Sequence, residues 1–254
     1  MKLRILGCGT SSGVPRIGND WGACDPAEPR NRRLRVSILV ETDDTRILVD
    51  TGPDLREQLL AADVATVDAV IWTHDHADHC HGLDDLRQVY HAQRQPVRGF
   101  ARPATLASLT RRFAYAFNGR DGYPSTVEGE LLPDQLTIGS IAIHVTDQPH
   151  GNIISAGLRF EHAGSAIVYA SDFNILTEDM RSLYQDADVL VIDALRRAPH
   201  PTHPTLTQAL DWIAELRPKR AILTHMDQSM DYRTLRDTLP AGAEPGYDGL
   251  EIRL

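Results

Sequence analysis

One segment of the chain combines a buried strand with an unusual density of metal-binding side chains. The apolar run Ala69–Thr73 is typical of a strand, and three histidines and two aspartates lie in the six residues that follow it. Side chains of an extended chain alternate between two faces, so His74 and His76 point the same way and can bind one ion. A turn after them brings Asp78 and His79 toward a second ion. The segment therefore predicts a metal-binding loop at a strand end.

Strand-like and helix-like segments alternate along the whole chain, without a linker of low complexity. The predicted strands are residues 3–7, 36–41, 46–50, 69–73, 141–146, 154–160, 166–170, 189–193, 221–224 and 250–253. The predicted helices are residues 54–62, 83–92, 105–117, 178–185 and 206–216. A hairpin around Asp43-Asp44 makes the sheets mixed. We therefore expect one α/β domain over residues 1–254, with mixed sheets flanked by helices.

Polar side chains fall at the ends of several predicted strands. Strand ends are where a sheet presents side chains to a shared crevice. Five such side chains lie at or just after the C-terminal end of a predicted strand: Asp50, His74, His150, Asp172 and His225. We expect them to line one pocket.

Composition limits the class of protein and its partners. The chain has 254 residues and a formal net charge of −9, which disfavours an extended nucleic-acid interface, although Arg30–Arg35 form a local basic patch. Three widely spaced cysteines suit a reducing compartment. We find no apolar run of membrane-spanning length and no secretory signal at the N-terminus. We therefore expect a cytoplasmic protein that does not bind membranes.

The spacing His74-x-His76-x-Asp78-His79 resembles the first metal motif of the metallo-β-lactamase superfamily. The preceding Leu48–Gly52 and the later single residues His150, Asp172 and His225 match the remaining motifs of that family. The resemblance implies a four-layer αβ/βα sandwich with metal at one edge of two facing sheets. It covers most of the chain, so residues 1–254 are expected to form a single metallo-hydrolase domain.

The resemblance also implies a role for each matching residue. The first metal would be held by His74, His76 and His150; the second by Asp78, His79 and His225. Asp172 would bridge the two ions, and Asp50 would orient the metal-binding loop. We thus expect two divalent ions, zinc or manganese first and iron as an alternative, since no thiolate in the set forces zinc.

Smaller features point to a branch of the family. The stretch Cys80–Leu83 and the opening Leu6–Pro15 resemble transfer-RNA 3′-processing nucleases and related phosphodiesterases. Trp21-Gly22, His203–Leu206 and Gly246–Gly249 resemble the phosphoribosyl 1,2-cyclic phosphate phosphodiesterases of the carbon–phosphorus lyase pathway. Those enzymes carry a cysteine cluster and an added histidine for a structural zinc. Here only Cys24 remains, and Gln228 stands where the histidine is expected, so we predict no structural zinc.

His203 lies outside the metal motifs, just ahead of a predicted helix. A histidine titrates near neutrality and can protonate a leaving alkoxide, so we take His203 as the candidate general acid. The alternative is a loop histidine that contacts the next helix, and His200 is a weaker candidate for the acid. With His203, the resemblance makes Asp78 and Asp50 the other catalytic residues.

These observations lead to a prediction of function. We expect a metal-dependent hydrolase that cleaves a small phosphodiester, cyclic ones included, by attack of a metal-bridging hydroxide. The alternatives are a tRNA 3′-processing endoribonuclease, a thioester or lactone hydrolase, and a metal-bound scaffold without activity. The expected partner is a small-molecule phosphodiester. The resemblance leaves the oligomeric state open between a monomer and a homodimer, since relatives of this kind often dimerise. Aromatic residues around the loop 118–124 either form a lid over the substrate or belong to the core.

Overall fold

The computed structural model describes the whole chain from Met1 to Leu254. The strands are β1 (Lys2–Gly7), β2 (Ser37–Glu41), β3 (Arg46–Val49), β4 (Ala69–Trp72), β5 (Val97–Ala101), β6 (Val127–Leu131), β7 (Gln135–Ile138), β8 (Ile141–His150), β9 (Ile153–His162), β10 (Ser165–Ala170), β11 (Val189–Asp193), β12 (Arg220–Thr224), β13 (Ala243–Pro245) and β14 (Glu251–Arg253). The helices are α1 (Leu55–Ala62), α2 (Ala77–Cys80), α3 (Leu86–Gln93), α4 (Pro103–Arg112), α5 (Ala114–Asn118), α6 (Glu178–Tyr184), α7 (Leu206–Leu216) and α8 (Tyr232–Thr238).

The strands form two sheets of seven strands each, and both sheets are mixed. The first has the order β14-β1-β2-β3-β4-β5-β6, and the second has the order β13-β12-β11-β10-β9-β8-β7. In the first sheet the pairs from β14 to β3 are antiparallel and the pairs from β3 to β6 are parallel. The second sheet repeats this arrangement, with antiparallel pairs from β7 to β10 and parallel pairs from β10 to β13.

Two apolar layers account for this architecture. Alternate residues of a strand face opposite sides, so Ile38 and Val40 enter the larger core while Leu39 between them enters the smaller one. The larger core joins the first sheet to the second, for example through Phe160 of β9. The smaller core joins the outer face of the first sheet to α1, α3 and α4, with Trp72 fully buried in it. The expected two mixed sheets flanked by helices are confirmed.

One predicted helix is wrong in its extent. The sequence predicts a single helix over 105–117, but the chain breaks at Phe113 between α4 and α5, with φ −117° and ψ 36°. No proline or glycine marks the break. The Phe113 amide closes α4 by donating to Leu109 O, and the Phe113 carbonyl accepts from Ala116 N in α5.

Several elements have no counterpart in the sequence-based prediction. These are β5, β6, β7, β13, α2 and α8. In β6 and β7 charged or polar side chains are exposed, because these strands lie at the sheet edges, so their apolar pattern is weak. Helix α8 begins at Asp231, whose side chain accepts a hydrogen bond from Thr234 N. None of the helices has both the length and the apolar character needed to cross a membrane.

Candidate metal centre

The crevice forms where strand ends from both sheets meet. Asp50 follows β3, Asp172 follows β10 and His225 follows β12. All three adopt left-handed backbone conformations, with φ of 63°, 60° and 57°. Such conformations are uncommon for residues other than glycine, and they cluster at functional sites. Here they turn three side chains out of the strand direction at the same edge of the sandwich.

The first group of potential ligands consists of His74, His76 and His150, each of which offers one ring nitrogen within 4.8 Å of the others. His150 Nε2 lies 3.4 Å from His76 Nδ1. On its other side, the His150 ring donates from Nδ1 to Thr202 O at 3.0 Å, which leaves Nε2 without a proton in the neutral ring. Burial lowers the pKa of both His74 and His150, so the neutral imidazole is the form that this pocket favours.

The second group consists of Asp78, His79 and His225, again with ligand atoms within 4.8 Å of one another. Asp78 Oδ2 lies 3.5 Å from His79 Nε2 and 3.6 Å from His225 Nε2. The His79 ring donates from Nδ1 to Asp50 Oδ2 at 2.8 Å, so its Nε2 faces the crevice. Carboxylate and imidazole together suit a divalent cation.

Asp172 lies between the two groups. Its Oδ2 is 3.2 Å from His79 Nε2, and its Oδ1 is 3.4 Å from His225 Nε2 and 3.7 Å from His150 Nε2. Burial raises the pKa of this carboxyl, but the surrounding imidazoles of His225 and His79 outweigh burial and hold it well below its usual range. Asp172 is therefore an ionised carboxylate that faces both groups at once.

The polar atoms of the crevice are those that a cation requires. The Nε2 atoms of His74, His79 and His225 are buried and have no hydrogen-bond partner. A buried polar atom without a partner destabilises the folded state, and such atoms usually bind a ligand or an ion. Since the side chains offer unpaired imidazole nitrogens beside ionised carboxylates, the residues fit divalent metal ions. The identity of the metal does not follow from this set of ligands.

Asp50 connects the metal-binding loop to the rest of the first sheet. Its buried carboxylate accepts hydrogen bonds from Thr73 N at 2.8 Å and from Thr73 Oγ1, in addition to the bond from His79. Thr73 Oγ1 also lies 3.1 Å from His74 Nδ1. Since the hydroxyl donates to Asp50, it accepts from His74, whose Nε2 is then free. Asp50 is thus hydrogen-bonded directly to His79 and, through Thr73 Oγ1, to His74.

His203 reaches the same crevice from the loop before α7. Its ring stacks on His225 with centroids 4.6 Å apart, and its Nε2 is 3.9 Å from Asp172 Oδ1. On the other side, Nδ1 lies 2.7 Å from Oδ2 of the fully buried Asp193. His200 is farther out: its ring centroid is 5.1 Å from that of His203, and its Nδ1 accepts from Thr202 N.

The structure therefore places His203 and the eight other site residues predicted from the sequence in one crevice. These eight are Asp50, His74, His76, Asp78, His79, His150, Asp172 and His225. Asp193 was not among the residues predicted from the sequence. A signal was present, because Asp193 ends β11 in the same way that His150 ends β8. Cys24 is the cysteine that remains where the related cyclic phosphodiesterases carry a zinc-binding cysteine cluster. Its Sγ lies 3.8 Å from an Arg33 guanidinium nitrogen.

This fold and this crevice define a metal-binding hydrolase. Residues 45–226 match the β-lactamase superfamily domain, and the chain belongs to that family. The crystal structure of a diphosphatase from the PhnP family superposes with a TM-score of 0.91 at 32% identity, over 100% of this chain and 97% of that one. The chain is a metallo-β-lactamase-fold hydrolase, and the resemblance inferred from its motifs is confirmed.

Two sequence relatives extend the comparison. An octanoyltransferase of Porphyromonas gingivalis is 32% identical over 99% of this chain and 51% of its own length, so the chain spans about half of that protein. A ribonuclease Z of Mycolicibacterium gilvum is 28% identical over 66% of this chain and 65% of its own length. The chain is thus similar to proteins that are named for different reactions.

Proposed function

We propose that this hydrolase is a dinuclear metal-dependent phosphodiesterase acting on a small phosphodiester, cyclic ones included. The observation that carries the proposal is the position of Asp172 between the two groups. Its Oδ2 lies 3.2 Å from His79 Nε2, and its Oδ1 lies 3.4 Å from His225 Nε2 and 3.7 Å from His150 Nε2. A carboxylate within reach of both groups of ligands is suited to two ions rather than one. Bound there, a pair of divalent ions would activate water and neutralise charge on the phosphoryl oxygens.

The residues of the chain supply position and a proton. Asp50 fixes the ring of His79, and Thr202 O fixes the ring of His150, so the liganding nitrogens are oriented before a metal or substrate binds. His203 carries its Nδ1 proton toward Asp193, and its Nε2 faces the crevice beside Asp172. In the imidazolium form, Nε2–H would donate to the departing alkoxide.

The strand connections between His150 and Asp172 favour a small substrate. The hairpin after His150 turns through Gly151 and Asn152, and the next hairpin turns through Ala163 and Gly164. Neither connection carries an inserted arm that could hold a long nucleic acid. The net charge of −9 also disfavours a long nucleic acid as the substrate. We therefore favour hydrolysis of a small phosphodiester over tRNA 3′ processing.

A second candidate is hydrolysis of a diphosphate linkage. It is favoured by the diphosphatase of the PhnP family, which is 32% identical over essentially the whole chain. In both reactions a nucleophile attacks phosphorus and a P–O bond to the leaving group breaks. They differ in the leaving group: an alkoxide requires a proton donor, whereas a phosphate is already a stable anion. Dependence on His203 therefore separates the two reactions.

The experiment is a substrate panel on metal-reconstituted protein, for wild type and His203→Ala. The panel holds a 2′,3′-cyclic nucleotide, bis(p-nitrophenyl) phosphate, ADP, a precursor tRNA and octanoyl-coenzyme A. We expect turnover of the cyclic diester that falls about 10²–10⁴-fold in His203→Ala while metal content is unchanged. Turnover of ADP alone would select the diphosphatase. Activity restricted to the tRNA or to the thioester would overturn the proposal.

A further inference from the structure

A cavity outside the metal centre lies between α3, α5 and the loop that follows α5. It encloses about 230 Å³. Its wall contains three tyrosines, two arginines and five other residues: Tyr90, Tyr115, Tyr123, Arg87, Arg120, Asp84, His91, Asp121, Pro124 and Thr126. None of these residues belongs to the metal-binding crevice described above.

The aromatic residues of this region divide into two classes. Phe113 and Phe117 pack against the smaller core, so for them the core alternative is correct. Tyr115 and Tyr123 are instead 43% and 72% exposed, and they line the cavity. Leaving large aromatic surface in contact with water is unfavourable, and tyrosines are common at interaction surfaces, because the ring packs while the hydroxyl finds a hydrogen-bond partner. The exposed pair can therefore stack on a planar ligand.

The outer wall of the cavity is a tight turn. Arg120 N donates to Tyr123 O at 3.1 Å, and Tyr123 N donates to Arg120 O at 2.9 Å. The residues between them, Asp121 and Gly122, have φ of 51° and 86°, which is the two-residue hairpin turn that Asp-Gly favours. The turn holds Arg120 and Tyr123 opposite α3 and α5. The wall is thus a hydrogen-bonded element and not an open loop.

Of the two arginines that line the cavity, one forms a salt bridge and the other does not. Arg120 Nε lies 3.1 Å from Asp121 Oδ2, so these two charges compensate each other. Asp84 lies beside the Tyr115 hydroxyl, and burial together with this carboxylate raises the pKa of Tyr115 to about 12. Arg87 has no carboxylate within salt-bridge distance. A free guanidinium beside tyrosine rings suits a ligand that combines a flat ring with an anionic group, such as phosphate.

We propose that this cavity binds a nucleotide, with the base against Tyr115 and Tyr123 and the phosphate at Arg87. Its volume is below the roughly 300–1,000 Å³ of pockets for drug-sized ligands, so it accommodates one ring system. Stacking of a base on an aromatic side chain does not depend on which base is present. The site is separate from the metal centre, and its existence does not depend on the reaction that the metal centre catalyses.

The test is isothermal titration calorimetry of AMP, adenosine and ribose 5-phosphate into the metal-loaded protein. The variants are Tyr123→Ala and Arg87→Ala, with Arg111→Ala as the matched control, since Arg111 is an exposed arginine of α4 that does not line the cavity. We expect Tyr123→Ala to weaken AMP and adenosine by about 5- to 150-fold, the cost of removing one stacking ring. Arg87→Ala should weaken AMP and leave adenosine unchanged.

Ribose 5-phosphate carries a phosphate without a base, so Tyr123→Ala should not alter its binding. The proposal is overturned if neither AMP nor adenosine binds wild type, or if Tyr123→Ala binds adenosine as wild type does. It is also overturned if Arg111→Ala weakens AMP as much as Arg87→Ala. No turnover is measured, so failure of the phosphodiesterase proposal would leave these results unchanged.

Discussion

His203 Nδ1 lies 2.7 Å from Asp193 Oδ2, and Nε2 of the same ring lies 3.9 Å from Asp172 Oδ1. One ring nitrogen of His203 thus meets the buried carboxylate of Asp193, and the other meets the carboxylate of Asp172 between the two groups of potential ligands. Asp193 can only accept, so Nδ1 carries the proton and Nε2 is the atom that meets the crevice. The proposed role of His203 as a proton donor needs this fixed orientation, and the hydrogen bond to Asp193 provides it.

The first prediction concerns Asp193→Asn. The amide keeps a hydrogen bond to His203 but removes the negative charge that stabilises its imidazolium form. We expect turnover of a diester with an alkoxide leaving group to fall by at least about tenfold. Bis(p-nitrophenyl) phosphate should lose much less, because nitrophenolate leaves without a proton. Steady-state kinetics on both substrates, with metal content measured, checks this.

Asp211→Asn is the control, since Asp211 is an exposed residue of α7. It should behave as wild type on both substrates. Equal losses on the two substrates in Asp193→Asn, together with loss of metal, would show that Asp193 is structural and does not position His203.

The second prediction concerns metal removal. Without cations, the Nε2 atoms of His74, His79 and His225 remain buried and unpaired. A ligand present at about 100 times its dissociation constant stabilises a protein by about 2.7 kcal/mol, which is about 5–10 °C in Tm for a chain of this size. We expect a chelator to lower Tm by this amount and added zinc or manganese to restore it. In Asp172→Asn, differential scanning fluorimetry should show a much smaller response, and an equal response would contradict a shared carboxylate.

Local signals were sufficient where they were strong. Helix α7 was predicted over 206–216, and it spans Leu206–Leu216 because Thr205 and Gln208 form a capping box at its start. The strand before His74 was found because its apolar run is uninterrupted. The ligand spacing in the loop after it was equally clear, since His74 and Asp78 are near neighbours in sequence.

What escaped prediction depends on contacts between distant segments. Asp193 ended a predicted strand, yet its partner His203 is ten residues away across a loop, and only the fold brings them together. Arg33 looked like part of a basic surface patch and is in fact 1% exposed. A buried cation requires partners that no local pattern supplies. For the same reason the break at Phe113 could not be read from the composition of that segment.

The third prediction concerns Arg33. Its guanidinium donates to Met230 O at 2.5 Å and to Asp227 O at 3.3 Å, so it connects the N-terminal segment to the loop that follows His225. Replacement by methionine would leave buried carbonyls without donors. We expect Arg33→Met to lower the free energy of unfolding by about 2–5 kcal/mol, measured by urea denaturation. Arg111→Met, at an exposed position, should change it by less than about 0.5 kcal/mol.

Arg33→Lys keeps the positive charge but removes the planar guanidinium. Its ammonium group cannot donate to both carbonyls in the geometry that the guanidinium provides. It should recover part of the stability lost in Arg33→Met. Elemental analysis of wild type should give two ions per chain, because Cys24 belongs to none of the groups of side chains that could hold a metal ion. Unchanged urea midpoints in Arg33→Met would contradict the structural role, and a third ion would contradict the absence of a structural zinc.

The last prediction concerns pH and Asp248. Burial raises the pKa of this carboxyl to about 7, against the hydrogen bonds that it accepts from Cys8 N at 3.0 Å and Leu34 N at 2.7 Å. In the unfolded chain an aspartate has a pKa of about 3.9, so between about pH 4 and pH 7 the folded state binds the extra proton. The contribution of Asp248 to stability is therefore complete below pH 4 and is lost as pH rises toward 7.

Each pH unit in that window corresponds to at most about 1.4 kcal/mol. Urea unfolding of wild type and Asp248→Asn at several pH values isolates this term, because the amide does not titrate. Asp248→Asn is expected to be less stable at acidic pH, where its amide nitrogen faces a backbone donor in place of an acceptor. The difference between the two proteins should shrink as pH rises from 4 to 7. A difference that is constant across this range would show that Asp248 is ionised throughout, and that its two backbone donors outweigh burial.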